Sequence, residues 1–316
     1  MSSRDLVLMT APLREDFTIP CHEIGPAAGT PAVSFVSGLH GDEINGIYIL
    51  ARLADFLKAV EGGGYPKLRL AQRVLIIPAV NVLGTNTLRR AWPFDQSDQN
   101  RMFPGNQMGE TTQRIAYTVL EATKKSAYRV DLHSSNLYFE ELPQVRLYDP
   151  TPEERETAHL FGLPSIMERS VSPVFTTTLM YAWKYWPGQS FLLQIGQAGS
   201  IQLPHCQQVF RGLVSFLGRI GVLEGVEVAE ADQEALYFTR ECSVRIYADR
   251  AGMFVSDKSL GGWVNKGQEL GYIYDSFNGN VRTRVTAPVA GLLTGIRRQP
   301  MLFEGDLLMR ICTRTP

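Results

Sequence analysis

The sequence is poor in cysteine: only Cys21, Cys206, Cys242 and Cys312 occur, and no two form a CxxC pair. That argues against a disulfide framework and against a thiolate zinc site, so the thiols are expected to be reduced and structural. No run approaches the roughly 20 apolar residues a membrane helix needs, and the N-terminal stretch MSSRDLVLMTAPLRED has no signal-peptide core. A cytoplasmic location is the expectation. Charge of one sign is missing too: 31 basic residues stand against 32 acidic ones, a net charge of −1. There is no overall field to attract nucleic acid or an anionic membrane, so charge selectivity must be local to a pocket.

What is present fits an ordinary globular chain. With 316 residues, 44% hydrophobic and 20% charged, the length allows one catalytic domain and a smaller appendage. Residues 32–38 (AVSFVSG) read as a strand, followed by HGDE and then by the helical pattern INGIYILARLADFLKAV. A second strand, 73–80, leads into a long polar loop in which Trp92, Phe94, Met102 and Phe103 are interleaved. Loops of that length are functional or disordered, and the aromatics favour an ordered one. Helical spacing over 111–128 runs into RVDLHSS, so strand and helix alternate as in a largely parallel sheet. Further strands are expected at 144–149 and 190–196, and a closing helix at about 205–222.

From 226 to 235 the chain turns polar and acidic, and beyond it Gly-punctuated strand segments take over. The boundary is placed between 228 and 229. The tail carries an internal repeat: ADRAG (248–252) recurs as APVAG (287–291), and NKGQELGYI (265–273) as FEGDLLMRI (303–311). Two such units can close on each other, because neither hairpin buries its apolar face alone. The expected fold class is therefore α/β: a mixed, mainly parallel sheet flanked by helices over 1–228, then a small all-β barrel-sandwich domain over 229–316. This tail resembles lipoyl and biotinyl carriers but shows no clear modifiable Lys at a hairpin tip, which speaks against a carrier role.

His40 and Glu43 sit three apart where a strand gives way to a helix, and His133 follows another strand. Polar groups at the carboxyl ends of parallel strands can converge outside the sheet. Two imidazoles and one carboxylate match a catalytic zinc site, which keeps its fourth position open. Alternatively, His40 is a helix-capping group and Glu43 is favoured in the first turn by the helix dipole.

The segments SGLHGDEING (37–46), RAWPFDQSDQNRMFPG (90–105) and VDLHSS (130–135), with the barrel-like tail, resemble the succinylglutamate desuccinylase and aspartoacylase family, a branch of the zinc metallocarboxypeptidases. The resemblance implies zinc bound by His40, Glu43 and His133, with Asp131 either orienting a ligand or serving as a buried structural Asp. It implies that Asn100 and Arg101 grip a substrate carboxylate and that Arg90, or its neighbour Arg89, stabilises an oxyanion. Arg146 is a candidate for a second polar group of the substrate, or an exposed strand residue.

The family's catalytic Glu on a late strand is replaced here by Gln194, in FLLQIGQAG. Glutamine can hold a water but cannot take up a proton at neutral pH. Three explanations stand: an exchange that traps substrate, a subgroup using another acid such as Glu140 or Glu141, or a protein that binds ligand without turnover. Gln197, also unusual for the family, favours the subgroup. The implied function is zinc-dependent hydrolysis of the amide bond of a small N-acyl amino acid or related compound, with a carboxylate-bearing small molecule as partner and homo-oligomerisation left open. A carboxypeptidase-type peptide hydrolase and a non-catalytic binding protein are the alternatives.

Overall fold

A computed structural model describes residues 2–10, 16–227 and 235–314. The boundary expected between 228 and 229 lies outside the described residues. The chain opens with strands β1 (Ser2–Met9) and β2 (Phe17–Ile24), an antiparallel pair absent from the sequence reading. It continues through β3 (Val33–Ser37), α1 (Ile44–Glu61), β4 (Arg69–Leu70), β5 (Val74–Ile77) and α2 (Val82–Asn86). A 3-10 turn at Gln99–Arg101 and α3 (Thr111–Thr123) lead to β6 (Tyr128–Ser135) and β7 (Phe139–Tyr148). Then come α4 (Pro152–Ala158), β8 (Ser165–Arg169), α5 (Leu179–Trp183), β9 (Gln189–Gln197), α6 (Leu203–Arg219) and β10 (Leu223–Glu224).

The sheet runs β1-β2-β5-β3-β6-β9-β7. Its centre, β5-β3-β6-β9, is parallel, and β2 and β7 border that centre in antiparallel register. This is the mixed, mainly parallel sheet that the strand and helix alternation predicts. Strand side chains alternate between faces. On β6 and β9, Val130, Leu132, Phe191, Leu193 and Ile195 join the core beneath α1 and α6. Asp131, His133, Leu192 and Gln194 take the other face, and Leu192 packs there with Leu179 and Trp183 of α5.

The α1 stripe of Ile49, Leu50, Leu53, Ala54, Leu57 and Val60 is buried, at the spacing of an amphipathic helix. The N–H of Gly62 then closes the helix by donating to the Lys58 carbonyl at 2.9 Å.

The tail comprises β11 (Leu236–Phe238), β12 (Ser243–Tyr247), β13 (Gly252–Val255), β14 (Trp263–Val264), β15 (Glu269–Tyr274), β16 (Val281–Thr286), β17 (Gly291–Arg297), β18 (Met301–Leu302) and β19 (Leu307–Cys312). The two repeats exchange their short strands: β18 pairs with β13 at Gly252↔Leu302, and β14 pairs with β17 at Gly291↔Val264. Their apolar faces meet in one core containing Leu270, Ile273, Leu293, Ile296, Leu308 and Ile311. The exchange explains why neither repeat is self-sufficient. Strand β17 also pairs with β7, placing Gly295 opposite Glu141, so the tail continues the main sheet. Among the described residues no helix is long and apolar enough to cross a membrane.

Candidate metal centre

Strands β3 and β6 are parallel neighbours, and their carboxyl ends deliver the HGDE turn and His133 to the same edge. Glu43 occupies the position before α1, yet its side chain makes no capping hydrogen bond. Instead Oε1 lies 2.7 Å from His40 Nδ1, and Oε2 lies 2.8 Å from His133 Nδ1 while accepting from the Ser134 N–H at 2.9 Å. That decides against the helix-cap reading. The potential ligand atoms of His40, Glu43 and His133 lie within 4.8 Å of one another, and all three residues are buried.

The remote ring nitrogens are equally constrained. His40 Nε2 lies 2.9 Å from Asp98 Oδ1, and His133 Nε2 lies 2.8 Å from Asp131 Oδ2. A carboxylate at Nε2 favours the Nε2–H tautomer and leaves Nδ1 as a lone-pair donor, the usual outer support of a metal-bound imidazole. Both Nδ1 atoms face Glu43, so the donor set fits a zinc-type ion.

Burial works to lower the pKa of both imidazoles, but the carboxylates outweigh it: His40 is held above its ordinary value, and His133 is raised to about 10. Burial would raise Glu43, and the two imidazoles overcome it, holding the carboxyl well below the usual range.

The long loop after β5 supplies the rest. Trp92 and Phe103 are buried and anchor it, as the ordered-loop expectation requires, whereas Phe94 is 81% exposed. Gly41 is needed at this junction: a Cβ there would collide with the backbone of Gly84 and Thr85. Arg90 is thereby brought against the centre, donating from Nη1 to Glu43 at 3.0 Å and from Nη2 to Asp98 at 3.2 Å. Arg89 is exposed and makes no such contact among the described residues. Asp98 also accepts from the Asn100 N–H at 2.9 Å, fixing the 3-10 turn.

Asn100 is buried, its Oδ1 accepting from the Leu179 N–H at 3.0 Å and its Nδ2 lying 3.3 Å from His133 Nε2. Arg101 donates to the Asn100 carbonyl at 2.8 Å, and no ion pair among the described residues engages its guanidinium. Gln194 lies beside His133 in the β6/β9 register. It is 4% exposed, and its carboxamide has no protein hydrogen bond among the described residues.

Several expected roles are answered by geometry. Arg146 is not an exposed strand residue: its side chain is 14% exposed and ion-paired with Glu141 at 2.7 Å. Glu141 is also bound by Arg310, and these cations, outweighing the effect of burial, hold its carboxyl down at about 2. Glu140 is bound to His205 at 2.9 Å and to Arg298 at 2.5 Å. Both glutamates are thus engaged in ion pairs. Gln197 serves the scaffold, donating to the Leu137 carbonyl.

Two further residues, Asp98 and Asn45, shape the site. Asp98 had only its place one residue ahead of Gln99-Asn100-Arg101 as a signal. Asn45 lies inside the HGDEING segment, and its Nδ2 donates to Ser134 Oγ at 3.1 Å and to the Gln197 carbonyl at 3.0 Å. It ties the ends of β6 and β9 to α1.

Comparison with known proteins agrees with this architecture. The family model for the succinylglutamate desuccinylase/aspartoacylase catalytic domain matches residues 29–219. N-alpha-acetyl-L-2,4-diaminobutyric acid deacetylase of Halomonas elongata is 27% identical over 289 residues, covering 88% of this chain and 81% of that protein. Among solved structures, a succinylglutamate desuccinylase/aspartoacylase from Rhodobacter sphaeroides superposes with a TM-score of 0.80 at 19% identity, over 99% of this chain and 96% of that one. The product-bound ectoine utilization protein EutE (DoeB) from Ruegeria pomeroyi gives a TM-score of 0.74 at 22% identity, over 95% and 90% of the two chains. With the catalytic-domain match spanning more than half its length and the HGDE, NRMFPG and DLH segments gathered at one sheet edge, the chain belongs to the succinylglutamate desuccinylase/aspartoacylase family.

Proposed function

We propose that the protein is a zinc-dependent deacylase that hydrolyses the amide bond of a small N-acyl amino acid or related N-acylated compound. The observation that carries this reading is the inward convergence of both Nδ1 atoms on Glu43, with each Nε2 braced by its own carboxylate. The deacetylase from Halomonas elongata, similar over most of both chains, supports the substrate class.

His40, Glu43 and His133 would hold the ion. Bound there, zinc would supply Lewis-acid polarisation of the scissile carbonyl and a lowered pKa for water. The chain's own residues do the rest. Arg101, with no ion pair among the described residues, offers its planar fork to the substrate carboxylate, and Asn100 adds a neutral donor beside it. Arg90 spends two of its five N–H groups on Glu43 and Asp98, leaving donors for a developing oxyanion. Gln194 orients a water or the amide by hydrogen bonding and moves no proton.

A general acid or base contributes about 10²–10⁴ in rate, so the test is the zinc-loaded chain and its Gln194→Glu variant on N-acetyl and N-succinyl amino acids. The variant is expected to gain at least about 10²-fold in kcat. Zinc retention with ligand affinity but no turnover in either form would establish a binding protein, the second reading, which Gln194 itself favours. A chain that retains no zinc would overturn both.

A further inference from the structure

A second charged cluster lies on the sheet face that carries Gln194, away from the metal centre. Gln144 of β7 is opposite Gln194, and Arg146 is opposite Leu192. On the other edge of β7, Tyr148 pairs with Arg169 of β8, and Glu141 pairs with Gly295 of β17. Gly295 pairs with Arg310 of β19, which pairs with Arg245 of β12. Directly opposed residues share a face, so Glu141, Arg146, Arg169, Arg245 and Arg310 all project to one side. Like charges opposed in this way, as at Arg245 and Arg310, are destabilising unless something offsets them.

Glu141 alone does not. It accepts from Arg146 Nη2 on both oxygens and from Arg310 Nη1, whereas no ion pair among the described residues reaches Arg169. The Nε atoms of Arg146, Arg169 and Arg310 are all buried without a hydrogen-bond partner. Arg146 first, then burial, then Arg310 push the Arg169 pKa down to about 9. Arg169 also borders a cavity of about 330 Å³, together with Arg240, Ser243, Arg245 and Tyr247. The one acid there, Glu168, is already held by Arg155 and Tyr237. Arg169 is half-buried; a cation partly withdrawn from water without an ion-pair partner is costly, and the guanidinium fork is matched to carboxylates and phosphates.

We propose that Arg169, with Arg146, Arg310 and Arg245 around it, forms a second anion site that takes a carboxylate or phosphate group of a small molecule entering through this cavity. Two sources share that chemistry. One is a free anion. The other is a second acid group on the substrate, a source that rests on the deacylase reading: His133, Gln194 and Gln144 lie on adjacent strands about 4.8 Å apart, so the cluster begins about 10 Å from His133.

The test is the melting temperature of the full chain in chloride, inorganic phosphate and succinate at matched ionic strength, for wild type, Arg169→Gln and Arg245→Gln. Phosphate or succinate at saturating concentration is expected to raise the wild-type Tm by about 3 °C over chloride. Arg169→Gln should lose that response, and in chloride its Tm should equal or exceed that of wild type because a repelled cation has gone. Arg245→Gln, at the exposed rim, should lose part of the response and reports if the first variant does not fold. An undiminished response in Arg245→Gln or in a folded Arg169→Gln, no response in wild type, or a lower chloride Tm for a folded Arg169→Gln would overturn the proposal. None of these readings needs turnover, so they stand apart from any failure of the deacylase reading. With active enzyme, a roughly tenfold KM rise confined to N-succinyl substrates in Arg245→Gln assigns the site to the substrate; its absence, with the Tm response lost, assigns it to a free anion.

Discussion

The candidate metal centre and the arginine cluster occupy one face of one sheet and are built with opposite charge. In the centre, Glu43 and Asp98 hold the guanidinium of Arg90, Asp131 backs His133, and these carboxylates hold both imidazole pKa values up. In the cluster, Arg146, Arg169 and Arg310 face a single carboxylate, that of Glu141, and the surplus of cation pushes Arg169 down. The same physics acts with reversed sign. The direction of the pKa shifts follows the surplus charge in each pocket, carboxylate in the first and guanidinium in the second.

The comparison breaks most visibly if Glu141 is removed. Glu141→Gln strips Arg146 and Arg310 of the carboxylate they share, and breaking a buried pair by removing one partner costs about 3–5 kcal/mol. Urea unfolding of the variant should show a loss of that size; a change within about 1 kcal/mol would mean that the guanidiniums are not held together by Glu141.

The same group gives a pH signature nearly as large. Its folded-state pKa of about 2 lies below the ordinary 4.5, so its contribution is fully present above pH 4.5 and is lost as pH falls through that value towards 2. The linked stability is about 3 kcal/mol. Unfolding free energies across that window should fall in wild type and show a flatter profile in Glu141→Gln.

Smaller effects sharpen the contrast from the other side. Asp131→Asn leaves His133 in place but removes the carboxylate on its Nε2, and supports of this kind are worth about 10–100-fold in metal affinity. Calorimetric titration with zinc should show that loss, as it should for Asp98→Asn acting through His40. Neither variant should alter the phosphate-dependent Tm shift, because the two pockets hold charges of opposite sign with separate partners. An unchanged zinc affinity would show the Nε2 contacts to be incidental.

Much of the fold was legible because its signals are local. The strand, polar turn and amphipathic helix at 32–60 follow from periodicity, and the swapped tail repeats from self-similarity. The antiparallel β1-β2 pair was not: Phe17, Ile19 and Cys21 alternate with polar neighbours, but Pro20 inside that run weakens it as a strand signal. Glu140 and Glu141, adjacent in YFEEL, read as spare acids in the sequence. Alternation along β7 sends them to opposite faces, where His205 and Arg298 engage one and Arg146 and Arg310 the other. Asp98 looked like one more polar loop residue until the loop folded back over His40.

By itself, the sequence determined that His40, Glu43 and His133 meet, because HGDE and DLH each end a strand and parallel strands in one sheet present their carboxyl ends at a common edge. Only the tertiary structure decided the arginine cluster. Arg146, Arg169, Arg245 and Arg310 sit in separate strands, and inter-strand register, a non-local property fixed by the packing of both faces, brings Arg146, Arg169 and Arg310 together around one carboxylate, with Arg245 beside Arg310.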